Sequence, residues 1–209
     1  MQWLKNSWQQ SVHLSLIPLG WLIVRFANND LTVNPIQAAT QITGQTALVL
    51  LILSLACTPL QLVAGWKQVL SLRRPLGLYG FLYASLHMLL FVVVDYGLDF
   101  VLIWDVVSEK PYIIAGLAAL LLLIPLAITS TKGWKRRLGK GWKALHRLVY
   151  LAIPLVVLHF LWVVKDIRGP IMAGGVVAVL LVVRIPAIRQ WFTRWHYQRT
   201  PRIGRTERA

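Results

Sequence analysis

Residues 138–162 read LGKGWKALHRLVYLAIPLVVLHFLW: Lys140, Lys143 and Arg147 come early, and from Leu148 to Trp162 there is no Asp, Glu, Lys or Arg. A hydrocarbon core about 30 Å thick takes about 20 mostly apolar residues in a helix, with basic residues on the cytoplasmic flank and Trp or Tyr at the interfaces. The stretch meets these requirements and predicts a helix that crosses a membrane. It also carries two histidines, His146 and His159, 13 residues apart.

Working outward, runs of similar character occupy 12–28, 45–64, 75–95, 111–130 and 170–187, with the quoted stretch supplying 143–164. The expected fold is therefore all-α, a polytopic membrane bundle of six transmembrane helices. Residues 1–187 form the membrane domain and residues 188–209 a basic cytoplasmic tail. A composition of 57% apolar and only 14% charged residues excludes an ordinary soluble protein. The net charge of +15 does not signal nucleic acid, because a soluble nucleic-acid binder keeps its apolar residues in amphipathic stripes rather than unbroken runs. The opening residues are polar and the first run is long enough to remain as a span, so no cleaved secretory signal is expected. The single cysteine, Cys57, excludes an intrachain disulfide and a cysteine-ligated cluster.

Charge sets the orientation, because Lys and Arg beside spans are retained in the cytoplasm. With the N-terminus inside, the inner side holds Lys5, then Lys67, Arg73 and Arg74, then seven basic residues within 132–147 and seven within 184–208: eighteen of 22. Six of the seven acids, Asp30, Asp95, Asp99, Asp105, Glu109 and Asp166, fall on the outer side. Both termini are thus placed in the cytoplasm, as in a protein of the inner-membrane type. Trp3, Trp8, Trp104, Tyr112, Trp134, Trp142, Trp162, Trp191 and Trp195 stand where interfaces should be. The tail, rich in Arg with Trp191, Phe192, Trp195 and Tyr197, is expected to lie on anionic lipid. No internal repeat is evident.

Ionisable residues inside spans are costly and mark candidate sites. His87 lies about twelve residues into the third run and His159 about sixteen into the fifth, so both sit at about 18–24 Å from the inner surface. Two neutral imidazoles at similar depth on parallel helices can supply both axial ligands of one haem. Gly77, Gly80, Ala84 and Ser85 give the third run a small-residue face along which a flat macrocycle or another helix could approach. His146 and His159 are about 20 Å apart along the helix, which suits two stacked haems, but an ideal helix rotates them by about 220°. A bend at Pro154 would be needed to bring them to one face. The inner position lacks an obvious second ligand: Arg73 and Arg74 stand where it would be, and His13 is the remaining candidate. His196, in the tail, is expected to be solvated. The bland alternative is that each histidine bonds a neighbouring helix.

Residues 138–162, with RRPLGLYGFLYASLH at 73–87, ITGQTAL at 42–48 and TSTKGWKRRLGK at 129–140, closely resemble the MsrQ (YedZ) family over nearly the whole chain. These are the haem-binding membrane subunits of the bacterial periplasmic methionine sulfoxide reductase system, within the ferric-reductase-like transmembrane superfamily. The resemblance implies electron transfer from a quinol or a cytoplasmic flavin reductase, through one or two b-type haems, to a periplasmic molybdopterin-containing methionine sulfoxide reductase. It maps haem ligands onto His87, His146 and His159. It also associates FMN with the chain, although no flavin motif is present. Two-haem relatives carry two histidines on each of two helices, whereas here the third run has only His87, which puts a second haem in question.

Two rival functions follow from the same residues. Six helices with internal prolines could form a small transporter, but no acid lies deep in a span. The chain could instead be a non-redox anchor for a periplasmic enzyme. The acidic stretch 96–110 is the candidate docking surface for a periplasmic partner, or simply a solvated loop. The basic loop 132–143 reads as a topology anchor rather than a cofactor phosphate site, although it could contact flavin or a reductase.

Overall fold

The computed structural model describes residues 12–28, 30–190 and 192. Trp3, Lys5, Trp8 and, in the basic tail, Trp191, Trp195, His196 and Tyr197 lie outside the described residues. Every regular element among the described residues is helical. A short 3-10 turn, Val12–Leu16, leads into α1 (Ile17–Ala27). Then come α2 (Pro35–Ala64), α3 (Arg73–Leu89) with a wide π-turn extension Leu90–Asp95, and α4 (Phe100–Glu109). After these follow α5 (Pro111–Ile128), the short α6 (Lys132–Leu138) and α7 (Lys140–Leu145), α8 (Val149–Val163) and α9 (Arg168–Val182).

Local chemistry explains the helix ends. The Asn34 side chain accepts from the Gln37 amide at 3.1 Å, Pro35 follows in the first turn, and α2 stops at Gly65 in the left-handed conformation (φ 73°). This cap and proline make α2 begin ten residues before the apolar run at 45–64, because Thr and Gln on its first turns are polar yet helix-compatible. The Asp99 side chain caps α4, accepting from the Val101 and Leu102 amides.

Among the described residues, four helices are long and apolar enough to cross a membrane: Pro35–Ala64, Arg73–Asp95, Pro111–Ile128 and Lys140–Val163. Val12–Ala27 and Arg168–Val182 are apolar but shorter, within 10–17 residues. The protein is an all-α membrane bundle. Its outward side chains are large and apolar, including Ile17, Leu53, Leu121 and Val179, as lipid-facing positions require.

Two helix pairs form the centre: α2 packs along α3, and α5 along α8. They meet where Leu51, Leu123, Leu126 and Ala152 are buried together. Gly80 lets α2 and α3 approach, since a β-carbon there would lie 2.9 Å from the Leu51 side chain. Gly77 likewise abuts Ser54, and the Ser85 hydroxyl returns to the Phe81 carbonyl. The small-residue face of the third run therefore serves mainly helix packing. The fully buried Tyr83 ties α1 to this pair: its hydroxyl accepts from the Leu19 amide at 3.0 Å and donates to the Ser15 carbonyl at 2.7 Å.

Candidate functional site

Between the two helix pairs lies a cavity of about 380 Å³ whose walls include His87 from α3 and His159 from α8. The ring centroids are 6.0 Å apart and the ring planes cross at 83°. His87 Nδ1 is 2.8 Å from the Thr40 carbonyl, and His159 Nδ1 is 2.7 Å from the Tyr112 carbonyl. A carbonyl oxygen can only accept, so each Nδ1 carries the proton and donates it. Each Nε2 is then left with a lone pair. An atom gripped by two imidazole nitrogens at about 2 Å each, with roughly 1 Å from nitrogen to ring centre, separates centroids by about 6 Å. The pair has the spacing for one metal ion between them.

The donor set limits what such an ion could be. No group of three or more His, Cys, Asp or Glu side chains is gathered among the described residues. Two axial imidazoles with no further protein ligand suit a metal whose remaining positions are filled by a macrocycle. The walls fit such a flat, mostly apolar group: Gly44, Ala47, Ala84, Gly116 and Ala119 line the space, with polar wall from Thr40, Gln41 and Gln45 on α2 and from Asp95 and Lys110 in the segments flanking α4.

The same wall reveals a repeat that the sequence reading did not find. Thr40 and Tyr112, Gly44 and Gly116, and His87 and His159 are each separated by 72 residues, and each histidine lies 47 residues beyond its carbonyl. Within 42–52 and 114–124, Ile42, Gly44, Ala47, Leu48, Leu50, Leu51 and Ile52 recur as the same residue types 72 positions on. At this offset the glycines and the apolar positions are legible in the sequence, whereas Thr40 and Tyr112, which differ in type, are not.

A second cavity, also about 380 Å³, lies at the opposite end and shares Leu51 and Leu123 with the first. Its walls include Arg73, Arg74, Lys132, Lys135, Trp142 and His146. His146 stands in a 3-10 turn, His146–Leu148, ahead of α8, so ideal α-helical rotation does not govern its direction. Its ring stacks on Trp142 at 4.0 Å, and the Trp142 indole donates to the Thr129 carbonyl. The Thr129 hydroxyl donates to the Pro125 carbonyl at 2.6 Å, so at 3.1 Å it accepts from His146 Nε2. His146 thus has the opposite tautomer from the other two, with Nδ1 bearing the lone pair. At the 72-residue offset its counterpart is Arg74, and no second histidine lines this cavity among the described residues.

His13 does not join it. Its Nδ1 lies 2.6 Å from the Tyr79 hydroxyl on α3, and it lines neither cavity. The structure brings together His87 and His159, places His146 alone beside four cations, and leaves His13 outside.

Residues 43–157 match the family described as ferric reductase like transmembrane component, a span that contains His87 and His146 and stops two residues short of His159. A Rhodospirillum rubrum protein named protein-methionine-sulfoxide reductase heme-binding subunit MsrQ is 47% identical over 178 residues, covering 84% of this chain and 86% of the relative. The chain belongs to the MsrQ family. Like-named proteins of Deinococcus radiodurans (47% identical; 81% and 85% covered) and Xanthomonas axonopodis pv. citri (43%; 79% and 76%) carry the same likeness. Membership accords with the all-α membrane bundle.

Proposed function

We propose that the chain is a membrane electron-transfer subunit that holds b-type haem between His87 and His159 and delivers electrons to a periplasmic methionine sulfoxide reductase. The observation that carries this is the pair of imidazoles 6.0 Å apart, each fixed by an Nδ1–H donated to a backbone carbonyl. The haem supplies one-electron chemistry; the protein sets ligand orientation and keeps water from the iron. The relatives' printed name supports both the cofactor and the partner system.

In this proposal six helices cross the bacterial inner membrane with both termini in the cytoplasm, the two shorter ones reaching the interface through modest thinning of the bilayer. Residues 1–187 are the haem-binding domain and 188–209 a basic tail on lipid. The histidine-pair cavity opens toward the periplasm, and the basic cavity faces the cytoplasm, where a quinol or flavin reductase gives up electrons. His146, with its Nδ1 lone pair, is the candidate ligand of a second haem there. Arg73, Arg74, Lys132 and Lys135 suit the carboxylates of a haem or the phosphate of FMN. The partner, a molybdopterin enzyme, takes two electrons in succession and two protons to turn a sulfoxide into a thioether and water.

Purified protein from haem-replete cells should show a reducible b-type spectrum, with stoichiometry set by a pyridine haemochrome assay. His87→Ala and His159→Ala should each remove the same haem. A colourless preparation would leave the transporter or anchor function standing, and loss of different haems in the two variants would refute the pairing.

A further inference from the structure

Resting on the haem assignment above, we propose that Gly44 and Gly116 are a matched pair of positioning residues: by lacking side chains they hold the two axial imidazoles against the helix backbone that takes their Nδ1 protons. The offset of 72 residues relates not only these glycines but the acceptors Thr40 and Tyr112 and the histidines themselves. In each pair the glycine stands four residues after the acceptor, one helical turn on. Each acceptor carbonyl, inside its helix, still takes the outside imidazole donor, at Thr40 beside the Thr43 hydroxyl, which reaches the same oxygen at 3.0 Å. The imidazole reaches that oxygen only if its ring can lie flat along the helix surface at the next turn. A β-carbon would close that path. At Gly116 it would come within 2.8 Å of His159 Nδ1 and 2.9 Å of Cε1; at Gly44 the distances to the same atoms of His87 are 3.0 and 3.1 Å. Approaches below 3.0 Å force a shift, and the atoms met are the bonding nitrogen and its neighbour.

The chemical consequence concerns the metal. An Nδ1–H held by a carbonyl raises the basicity of Nε2 and fixes ring orientation. A more basic axial pair favours the ferric state and lowers the haem potential. Pushing either ring from its carbonyl weakens the bond and raises the potential, more at Gly116, where the clash is closer. The polar walls differ between the halves, with Gln41 and Gln45 on α2 facing Ile113 and Leu117 on α5, but the glycines do not. Among the residues that meet the imidazoles, the glycines are alike in both halves while the acceptors Thr40 and Tyr112 differ in type.

The test uses full-length protein purified with its haem, by redox titration and low-temperature EPR, alongside haem stoichiometry and circular dichroism. Gly116→Ala should keep helicity but raise the midpoint potential and move the low-spin g values; Gly44→Ala should do so less. Gly175→Ala on α9, where a β-carbon meets nothing within 4 Å, should match the wild type. If wild-type protein binds haem and neither glycine variant moves potential or g values, the positioning role is wrong while the haem assignment stands. Should the wild type bind no haem, the assignment itself fails. If Gly116→Ala does not accumulate, ENDOR on wild-type protein with ¹⁵N-labelled histidine decides: slowly exchanging Nδ1 protons on both ligands support the role, and their absence overturns it.

Discussion

Arg184 shows how one side chain repairs a defect built into another helix. Pro59, inside α2, has no N–H to give the Leu55 carbonyl one turn back, and that carbonyl faces the bundle. Arg184, just past α9, donates Nη2 to this oxygen and Nη1 to the Tyr150 hydroxyl, leaving a buried Nε with no partner. The guanidinium thus links α2, α8 and the end of α9. Removing it leaves a carbonyl unsatisfied at the edge of the lipid, a loss of roughly 1–2 kcal/mol given the modest worth of such bonds in membranes. Arg184→Gln should lower the thermal midpoint in detergent, whereas the same change in a Pro59→Ala background should cost less, because the restored amide takes the Leu55 carbonyl. Equal losses in both backgrounds would show that the guanidinium matters through something other than this oxygen.

At the scale of elements, α4 is the piece that residue types conceal. Asp99, Asp105 and Glu109 suggest a solvated loop, yet Asp99 is a cap and the other two lie on one side of a helix. Ile103, Val106 and Val107 turn inward, while Phe100 (71% exposed) and Trp104 (73%) form an apolar edge left largely uncovered by the described residues. A short helix joining the ends of two spans, with Trp on its free apolar edge and acids opposite, belongs in the membrane interface. Spin labels placed by Trp104→Cys and Glu109→Cys, about 140° apart around the helix, should therefore differ in power saturation. The first should favour oxygen and the second a nickel chelate; equal access to nickel would put the whole helix in water. The missed signal was the aspartate followed by an apolar run with helical spacing. The early start of α2 was missed for a related reason: Asn34 and Pro35 announce a helix, but its first ten residues are too polar to register in a search for hydrophobic length.

For the molecule as a whole, what could be read in advance was what depends on burial cost. His87 and His159 stood out because ionisable residues in apolar runs are rare, and counting rise per residue placed them at one level. Their carbonyl partners were invisible, since every residue supplies a carbonyl, and His13 misled because depth along a helix says nothing about which side it faces. The described residues also divide by charge. Arg73, Arg74, Lys132 and Lys135 surround one cavity, and Asp95 with Lys110 flanks the other. In the proposed topology this polarity puts the basic cavity on the cytoplasmic side and the histidine-pair cavity on the periplasmic side. It can be tested without touching either cavity's ligands. Cys57, only 1% exposed, should stay silent toward a membrane-impermeant maleimide, so introduced cysteines can be read against it. Ser108→Cys lies in α4, and Gly141→Cys in the basic loop, where a β-carbon meets nothing within 4 Å. In spheroplasts the reagent should label Ser108→Cys, and Gly141→Cys only after the membrane is opened. The reverse pattern would turn the histidine pair toward the cytoplasm and leave a periplasmic reductase with no haem within reach, so labelling sides alone can refute the proposed route.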